Sequence, residues 1–293
     1  MHDTRALVID DVEMALRAMS TLGAHIVGDS ARTVREAVRK LASRWGWTVV
    51  AYEAFFGWAV DVIARSADKW VALDPLFPVG EYSNKVTAAR LRRGSSVGQV
   101  EVTGGWDFLS GEGEQSLAII DDAVASGATM SQACKLVSRA GRRVSYIAVC
   151  ASNPEARRYV RQFAREAIWA DYVRGDWRIL HLRDGCPHLP YSGRRTSGLD
   201  AVHSKSGPVE LRAPPWAVPG SLWQVLCLDR EVQSVMVSAR LEVSRVLGEL
   251  LCRPATVADL ALLGAGCPGL VMPATPAISG ETTLDSLALS TSV

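Results

Sequence analysis

Two adjacent carboxylates, Asp121 and Asp122, close an apolar run, and a turn of small residues follows at once in LAIIDDAVASGATM, residues 117–130. Neighbouring carboxylates can accept hydrogen bonds from two vicinal hydroxyls of one sugar. Ala125, Ser126, Gly127, Ala128 and Thr129 carry side chains small enough for backbone N–H groups to approach a ligand, and the Ser126 and Thr129 hydroxyls add donors. Placed ahead of a helix N-terminus, such a turn suits a phosphate. The pattern predicts a sugar phosphate held at both ends by one continuous segment. Within this segment there is neither a G-x-G-x-x-G fingerprint nor a G-K-[ST] sequence, and the acidic pair precedes the turn, so dinucleotide and Walker-type sites fit it less well.

Other residues carry weaker chemical signals. His181, Cys186 and His188 in HLRDGCPHLPYSG offer three metal-type ligands, but no fourth has suitable spacing, and a turn fixed by Pro187 and Pro190 explains them better. Arg157, Arg158, Arg161 and Arg165 would make a basic stripe on a helix, read here as a solvated face because Glu155 and Glu166 flank it. ALVIDD near the N-terminus also ends in two acids, superficially like the start of a receiver domain. The strand-like TVVAY is followed by Glu53 where an Asp would be wanted, and no Lys-Pro pair follows later.

The elements that must position these groups are visible in the hydrophobic periodicity. Apolar residues from Val12 to Leu22 and over TVREAVRKLASRW predict helices, the second capped at Asp29-Ser30. TVVAY, WVALD, QVEV, LAIIDD and VSYIAVC read as strands, with helices over FFGWAVDVIARSA, roughly Ser83–Arg93, and MSQACKLVSRAG. Strands alternating with helices predict an α/β protein with a mainly parallel twisted sheet flanked by helices. In such sheets ligands bind at the carboxyl ends of strands, which is where Asp121 and Asp122 fall. Beyond Ser152 the expected elements are a long Arg-rich helix over EARRYVRQFAREAIWADYV, a strand at RILHL, a Pro/Gly-rich stretch over 184–220 and a helix over Asp229–Cys252. Trp45, Trp58, Trp70 and Trp169 are expected in the core.

The 117–130 segment resembles the phosphoribosyl-pyrophosphate signature of type I phosphoribosyltransferases: four apolar residues, two acidic ones, a short variable piece, then Thr/Ser-Gly-Gly-Thr. Ala128 stands here at the second glycine. The resemblance implies a type I phosphoribosyltransferase-like fold. It assigns Asp121 and Asp122 to the ribose hydroxyls as the catalytic pair, with Mg²⁺ held indirectly through ribose and pyrophosphate, and Ala125–Thr129 to the 5′-phosphate. Ala125 excludes a proton relay from that position. Gly111-Glu112-Gly113-Glu114 resembles the polar turn that precedes this strand in the family. Pro78, Val79, Gly80 and Glu81, with Lys85 nearby, occupy the place of the family's pyrophosphate loop. Arg90, Arg92, Arg93, Ser95 and Ser96 stand where a basic flap belongs, in a stretch of about two dozen residues where the family has two strands and a lid. As a plain helix end, RLRRG would also place cations favourably.

Composition sets the outer limits. The 293 residues are 48% hydrophobic and 22% charged, with a net charge of +1, so no global field would draw the chain to nucleic acid or anionic lipid. Only five of the 32 basic residues are Lys. Six scattered Cys without a C-x-x-C pair, an acidic start and the lack of a long apolar run lead to the expectation of a cytoplasmic protein with reduced thiols and no membrane or nucleic-acid partner. The predicted organisation is an N-terminal helical extension (1–29), a phosphoribosyltransferase-like core (30–152), an α+β accessory or hood region (153–253) and a low-charge flexible tail (254–293). Two functions follow from the resemblance: transfer of a phosphoribosyl group to a nitrogen nucleophile, or a non-catalytic sensor or effector that binds phosphoribosyl pyrophosphate or a nucleotide and acts through a protein partner or a homodimer.

Overall fold

The computed structural model describes residues 5–63, 69–74, 76–77, 83–85, 87–93, 96–103, 117–170, 177–186, 188–190, 192, 194–195, 202–205, 207–209, 211–213, 222–263, 270–271 and 279–290. In chain order the strands are β1 (Ala6–Asp10), β2 (Thr48–Ala51), β3 (Lys69–Ala72), β4 (Ser83–Lys85), β5 (Thr87–Arg93), β6 (Ser96–Thr103), β7 (Leu117–Val124), β8 (Val144–Ser152), β9 (Ala164–Trp169), β10 (Arg178–His181), β11 (Arg194–Arg195), β12 (Val202–Ser204), β13 (Gly207–Val209), β14 (Leu211–Ala213) and β15 (Leu270–Val271). The α-helices are α1 (Val12–Arg17), α2 (Thr21–Arg44), α3 (Tyr52–Ile63), α4 (Ala128–Arg139), α5 (Pro154–Val160), α6 (Leu222–Leu226), α7 (Arg230–Leu251) and α8 (Leu284–Ser290). β1, buried along its whole length, is the middle strand of a three-stranded sheet in the order β10-β1-β2.

The chain divides into two compact units. One comprises Met1–Leu7, Val50–Arg90 and Gln99–Ile179; the other comprises Val8–Val49, Leu91–Gly98 and Leu180–Val293.

The first unit is built on a five-stranded sheet in the order β4-β3-β7-β8-β9, in which every pairing is parallel. A sheet covered on both faces needs apolar residues at consecutive positions, and Leu117, Ala118, Ile119 and Ile120 are all buried. Val71, Leu73, Leu117, Ile119, Ile147 and Val149 form one hydrophobic cluster with Met130, Ala133, Cys134 and Val137 of α4 and with Ala156 and Val160 of α5. Helix α3 packs against β7 and β8 and buries Tyr52 and Phe55, with Phe77 edge-on to Tyr52. The α/β class with a parallel, helix-flanked sheet is therefore as the sequence predicts.

The second unit pairs α2 with α7. Ser20 caps α2 by accepting from the Gly23 N–H, and Asp229 caps α7 by accepting from Glu231 and Val232. Gly23 allows the carbonyl of Leu263 to lie against α2: a Cβ there would sit 1.9 Å from that oxygen, which the Ser20 hydroxyl also meets at 2.8 Å. Small sheets complete this unit, β11-β14-β15 and the antiparallel β12-β13.

Several expectations need correction. Residues 83–93 form β4 and β5 rather than a helix: β4 pairs with β3 and β5 pairs with β6, so main-chain pairing overrides a composition of Ala, Lys and Arg that suits helices. The Arg-rich helix ends at Val160, and Ala164–Trp169 instead becomes the edge strand beside β8. Residues 6–10 form a strand inside the expected helical extension, and α2 runs without a break across residues 29 and 30, starting at Thr21 rather than after Ser30. Within 254–293, Val257–Leu263 is a 3₁₀ helix, Thr256 bridges Thr283, and α8 buries Leu284 and Leu287, so part of this segment packs rather than trailing as a tail. Trp45, Trp58, Trp70 and Trp169 are only half-buried, while Trp177 and Trp223 are buried.

Candidate functional site

Taken in chain order, the five parallel strands of the first unit follow the arrangement 2-1-3-4-5, so the strand order reverses between β3 and β7. Such a reversal opens a crevice at the carboxyl ends of the two strands, because their connections leave in opposite directions. Asp74 lies just beyond β3. Asp121 and Asp122 are the fifth and sixth of the eight residues of β7, which stays paired with β8 as far as Val124, so the strand does not end at the acids as the sequence suggests. All three acids are at most 7% exposed. Backbone pairing continues into this region, with the Leu73 N–H donating to Ile120 O at 2.9 Å. Asp74 Oδ1 accepts from the Leu76 N–H at 2.7 Å, which turns the chain after β3. Asp121 Oδ1 accepts from the Asp122 N–H at 3.1 Å, and Asp122 Oδ1 from the Ala123 N–H at 2.6 Å. Asp74 and Asp122 bring one carboxylate oxygen each to within 4.8 Å of one another. Carboxylate oxygens so placed could take part in holding a metal ion.

The turn behind the acids is held from both sides. Gly127 caps α4 in the left-handed region (φ 78°, ψ −1°), where a side chain would be strained. No side chain caps the helix, and no acidic residue occupies its first turn. Ser126 and Ala128 are exposed, and Ala125 and Thr129 are half-buried. Ser126 Oγ accepts from the Ala128 N–H at 3.5 Å. Asn153, at the end of β8, donates to Ala125 O at 3.3 Å and to Trp177 O at 3.0 Å, and accepts from the Trp177 N–H at 3.1 Å. On the opposite side the Tyr159 ring lies over Gly127.

Asp121 and Asp122 thus lie in the C-terminal half of the central strand β7, where as consecutive strand residues they face opposite sides of the sheet, with the 125–129 turn following and Asp122 close to Asp74. Asp74 was missed in the sequence although WVALD, like LAIIDD, is an apolar run ending in an acid. Pro78, Val79, Gly80, Glu81 and Ser95 lie outside the described residues, as does Gly111–Glu114. Lys85 falls in β4 opposite Ala72, Arg90, Arg92 and Arg93 in β5, and Ser96 in β6, so RLRRG belongs to a strand and not to a helix end.

The discounted signals resolve differently. His181, Cys186 and His188 do not come together with one another as a metal-ligand group among the described residues. His181 Nδ1 instead meets Asp11 Oδ2 at 2.9 Å, in a buried network where Arg183 donates to Asp11 through its backbone N–H (2.9 Å) and its guanidinium (2.7 Å). Beside it Arg35 Nε reaches both oxygens of Asp10 at 2.9 Å, and Arg39 Nη1 reaches one at 3.0 Å. Burial nonetheless pushes the Asp10 carboxyl above its usual range, against the pull of these cations. Burial, with Arg240 as a neighbouring cation, depresses His188 to about 3. Burial also raises the Cys186 thiol well above its ordinary value. Glu53 sits exposed in the first turn of α3. The basic stripe does not form because α5 ends at Val160: Arg157 stacks 5.0 Å from the Trp169 ring centre and donates to Ser152 Oγ at 3.2 Å, while Arg158, Arg161 and Arg165 are exposed. Nothing in the sequence pointed to the Asp11–His181–Arg183 network, in which Asp11 lies 170 and 172 positions from its two partners.

No helix among the described residues is long and apolar enough to cross a membrane. No family model matches the sequence, and no curated protein is similar to it. Among solved structures, one described as the AQ2163 protein from Aquifex aeolicus is similar over 39% of this chain and 56% of that one, with 11% identity and a TM-score of 0.26. The chain thus spans little more than half of that protein, and a likeness at this level carries no argument about fold or function.

Proposed function

We propose that the chain is a type I phosphoribosyltransferase-like protein that binds phosphoribosyl pyrophosphate with Mg²⁺ and transfers the phosphoribosyl group to a nitrogen nucleophile. The observation that supports this reading is that LAIIDDAVASGAT spans the strand β7, which adjoins the order reversal of a parallel sheet, and the turn that leads from it into α4. Asp121 and Asp122 accept hydrogen bonds from the ribose hydroxyls, and the backbone of Ala125–Thr129 with the Ser126 and Thr129 hydroxyls holds the 5′-phosphate. Asp74 and Asp122 are the residues that would hold Mg²⁺, which when bound neutralises the pyrophosphate leaving group. In the transfer, a C–N bond forms at the anomeric carbon as its bond to the pyrophosphate oxygen breaks. The electron pair leaves with pyrophosphate, and the nucleophile loses its proton to solvent. The buried carboxylates favour the positive charge that develops on the ribose, and fixed positions at both ends of the sugar lower the entropic part of the barrier.

A second reading, a non-catalytic sensor or effector that binds phosphoribosyl pyrophosphate or a nucleotide and acts through a protein partner or a homodimer, is favoured by one observation. Only residues 94 and 95 separate β5 from β6, so the connection between these two strands is too short to be a long lid that would exclude water. A pyrophosphate-release assay with Mg²⁺ over a panel of nitrogen bases separates the two. Turnover supports transfer, binding without turnover supports the sensor, and the absence of both binding and turnover refutes the site.

A further inference from the structure

We propose that Tyr159, outside the recognised motif, is a positioning residue for the 125–129 turn and sets the site's preference for 5′-phosphorylated pentoses; the inference rests on the phosphopentose reading above. A Cβ on Gly127 would lie 2.9 Å from Tyr159 Cδ1 and 3.5 Å from Val160 Cγ2, so this ring and Val160 line the side of the turn on which a side chain would stand. Glycine reaches left- and right-handed conformations with similar ease, so the left-handed state at Gly127 needs something outside it to exclude the alternatives. The ring does this by contact, and it is itself fixed at two points. Its hydroxyl lies 3.0 Å from Ser131 Oγ in the first turn of α4, and Phe163 stands edge-on to it at 5.2 Å. Asn153 at the start of α5 grips Ala125 O while Tyr159 near its end meets Gly127, so one short helix clamps both shoulders of the turn. The phosphate donors follow from this clamp, because the amides after Gly127 keep their direction only while Gly127 keeps its φ.

The test compares wild type, Y159F, which keeps the ring and loses the bond to Ser131, and Y159A, which loses both. Calorimetric affinities are measured for ribose 5-phosphate and for inorganic pyrophosphate with Mg²⁺, together with hydrogen exchange of amides 126–130 and the melting temperature. Y159A is expected to weaken ribose 5-phosphate binding by about tenfold or more while changing pyrophosphate binding by less than about twofold, with Y159F in between. Equal weakening of both ligands, or no weakening of either, overturns the proposal. If wild type binds neither phosphate ligand, the phosphopentose reading has failed. In that case faster exchange at 126–130 in Y159A, without faster exchange across β8, still supports the clamp, and unchanged exchange refutes it.

Discussion

Replacing Asp11 by Asn should be among the most destabilising single changes in the second unit. The Asp11 side chain is fully buried, and the His181 and Arg183 side chains are 10% and 8% exposed, so solvent screens none of them appreciably. Asn preserves shape and can still accept from the Arg183 N–H at the Oδ1 position. It replaces Oδ2 by an amide donor, however, so the His181 Nδ1 and Arg183 Nη1 contacts at 2.9 and 2.7 Å lose their acceptor. Two charge-assisted bonds at about 1.5–3 kcal/mol each give about 3–6 kcal/mol, in line with about 3–5 kcal/mol for stranding one member of a buried ion pair. A domain is stable by only about 5–15 kcal/mol, so the loss should be large in urea denaturation followed by tryptophan fluorescence, with buried Trp223 reporting on the same unit. Adding R183M removes the other charged member of the pair and should recover part of the loss in a double-mutant cycle. A D11N cost below about 1 kcal/mol with no coupling to Arg183 would show that the network is not a buried ion pair.

Other perturbations test other parts of the structure. His188 titrates at 6.5 when unperturbed and at about 3 in the fold, so the unfolded chain binds more protons between these values; its stabilising effect is complete above pH 6.5 and is lost as pH falls. Between pH 7.5 and 5.0 it accounts for about 2 kcal/mol, a slope that should disappear in H188N, because Asn tolerates the φ of 62° at this position. Gly23→Ala pits a gain of about 1 kcal/mol in helix propensity against a Cβ placed 1.9 Å from a backbone oxygen that cannot rotate away; packing should win, and the urea midpoint should fall. Burial pushes Cys134 and Cys227 up to about 12 and Cys186 well above its usual value, whereas Cys252 is exposed. Of these four, Cys252 alone should react with iodoacetamide in the native state at pH 7.5, as read by peptide mass spectrometry.

The parts of the fold legible in the sequence are those that the local chain specifies by itself. LAIIDD and VSYIAVC are continuous apolar runs with β-branched residues, and both are central strands of the sheet. The 230–251 helix shows its period and its Asp229 cap. Residues 83–93 and 164–169 misled because their Ala, Arg and Glu content favours helix, while pairing with β3, β6 and β8 decides the outcome, and a partner strand cannot be seen in local composition. Half of the candidate site was legible for the same reason: Asp121, Asp122 and Ala125–Thr129 are contiguous. Asp74 enters only through the parallel register of β3 against β7, and Tyr159 only because α5 folds back over the turn.

The most direct test is isothermal titration of the whole chain with Mg²⁺ and phosphoribosyl pyrophosphate, set beside the D121N/D122N double variant. The proposed function predicts saturable one-site binding that weakens on the order of a hundredfold or more in the variant, as two charged acceptors are lost. Wild-type binding that the variant matches within about twofold would contradict the assignment of these two side chains to the sugar.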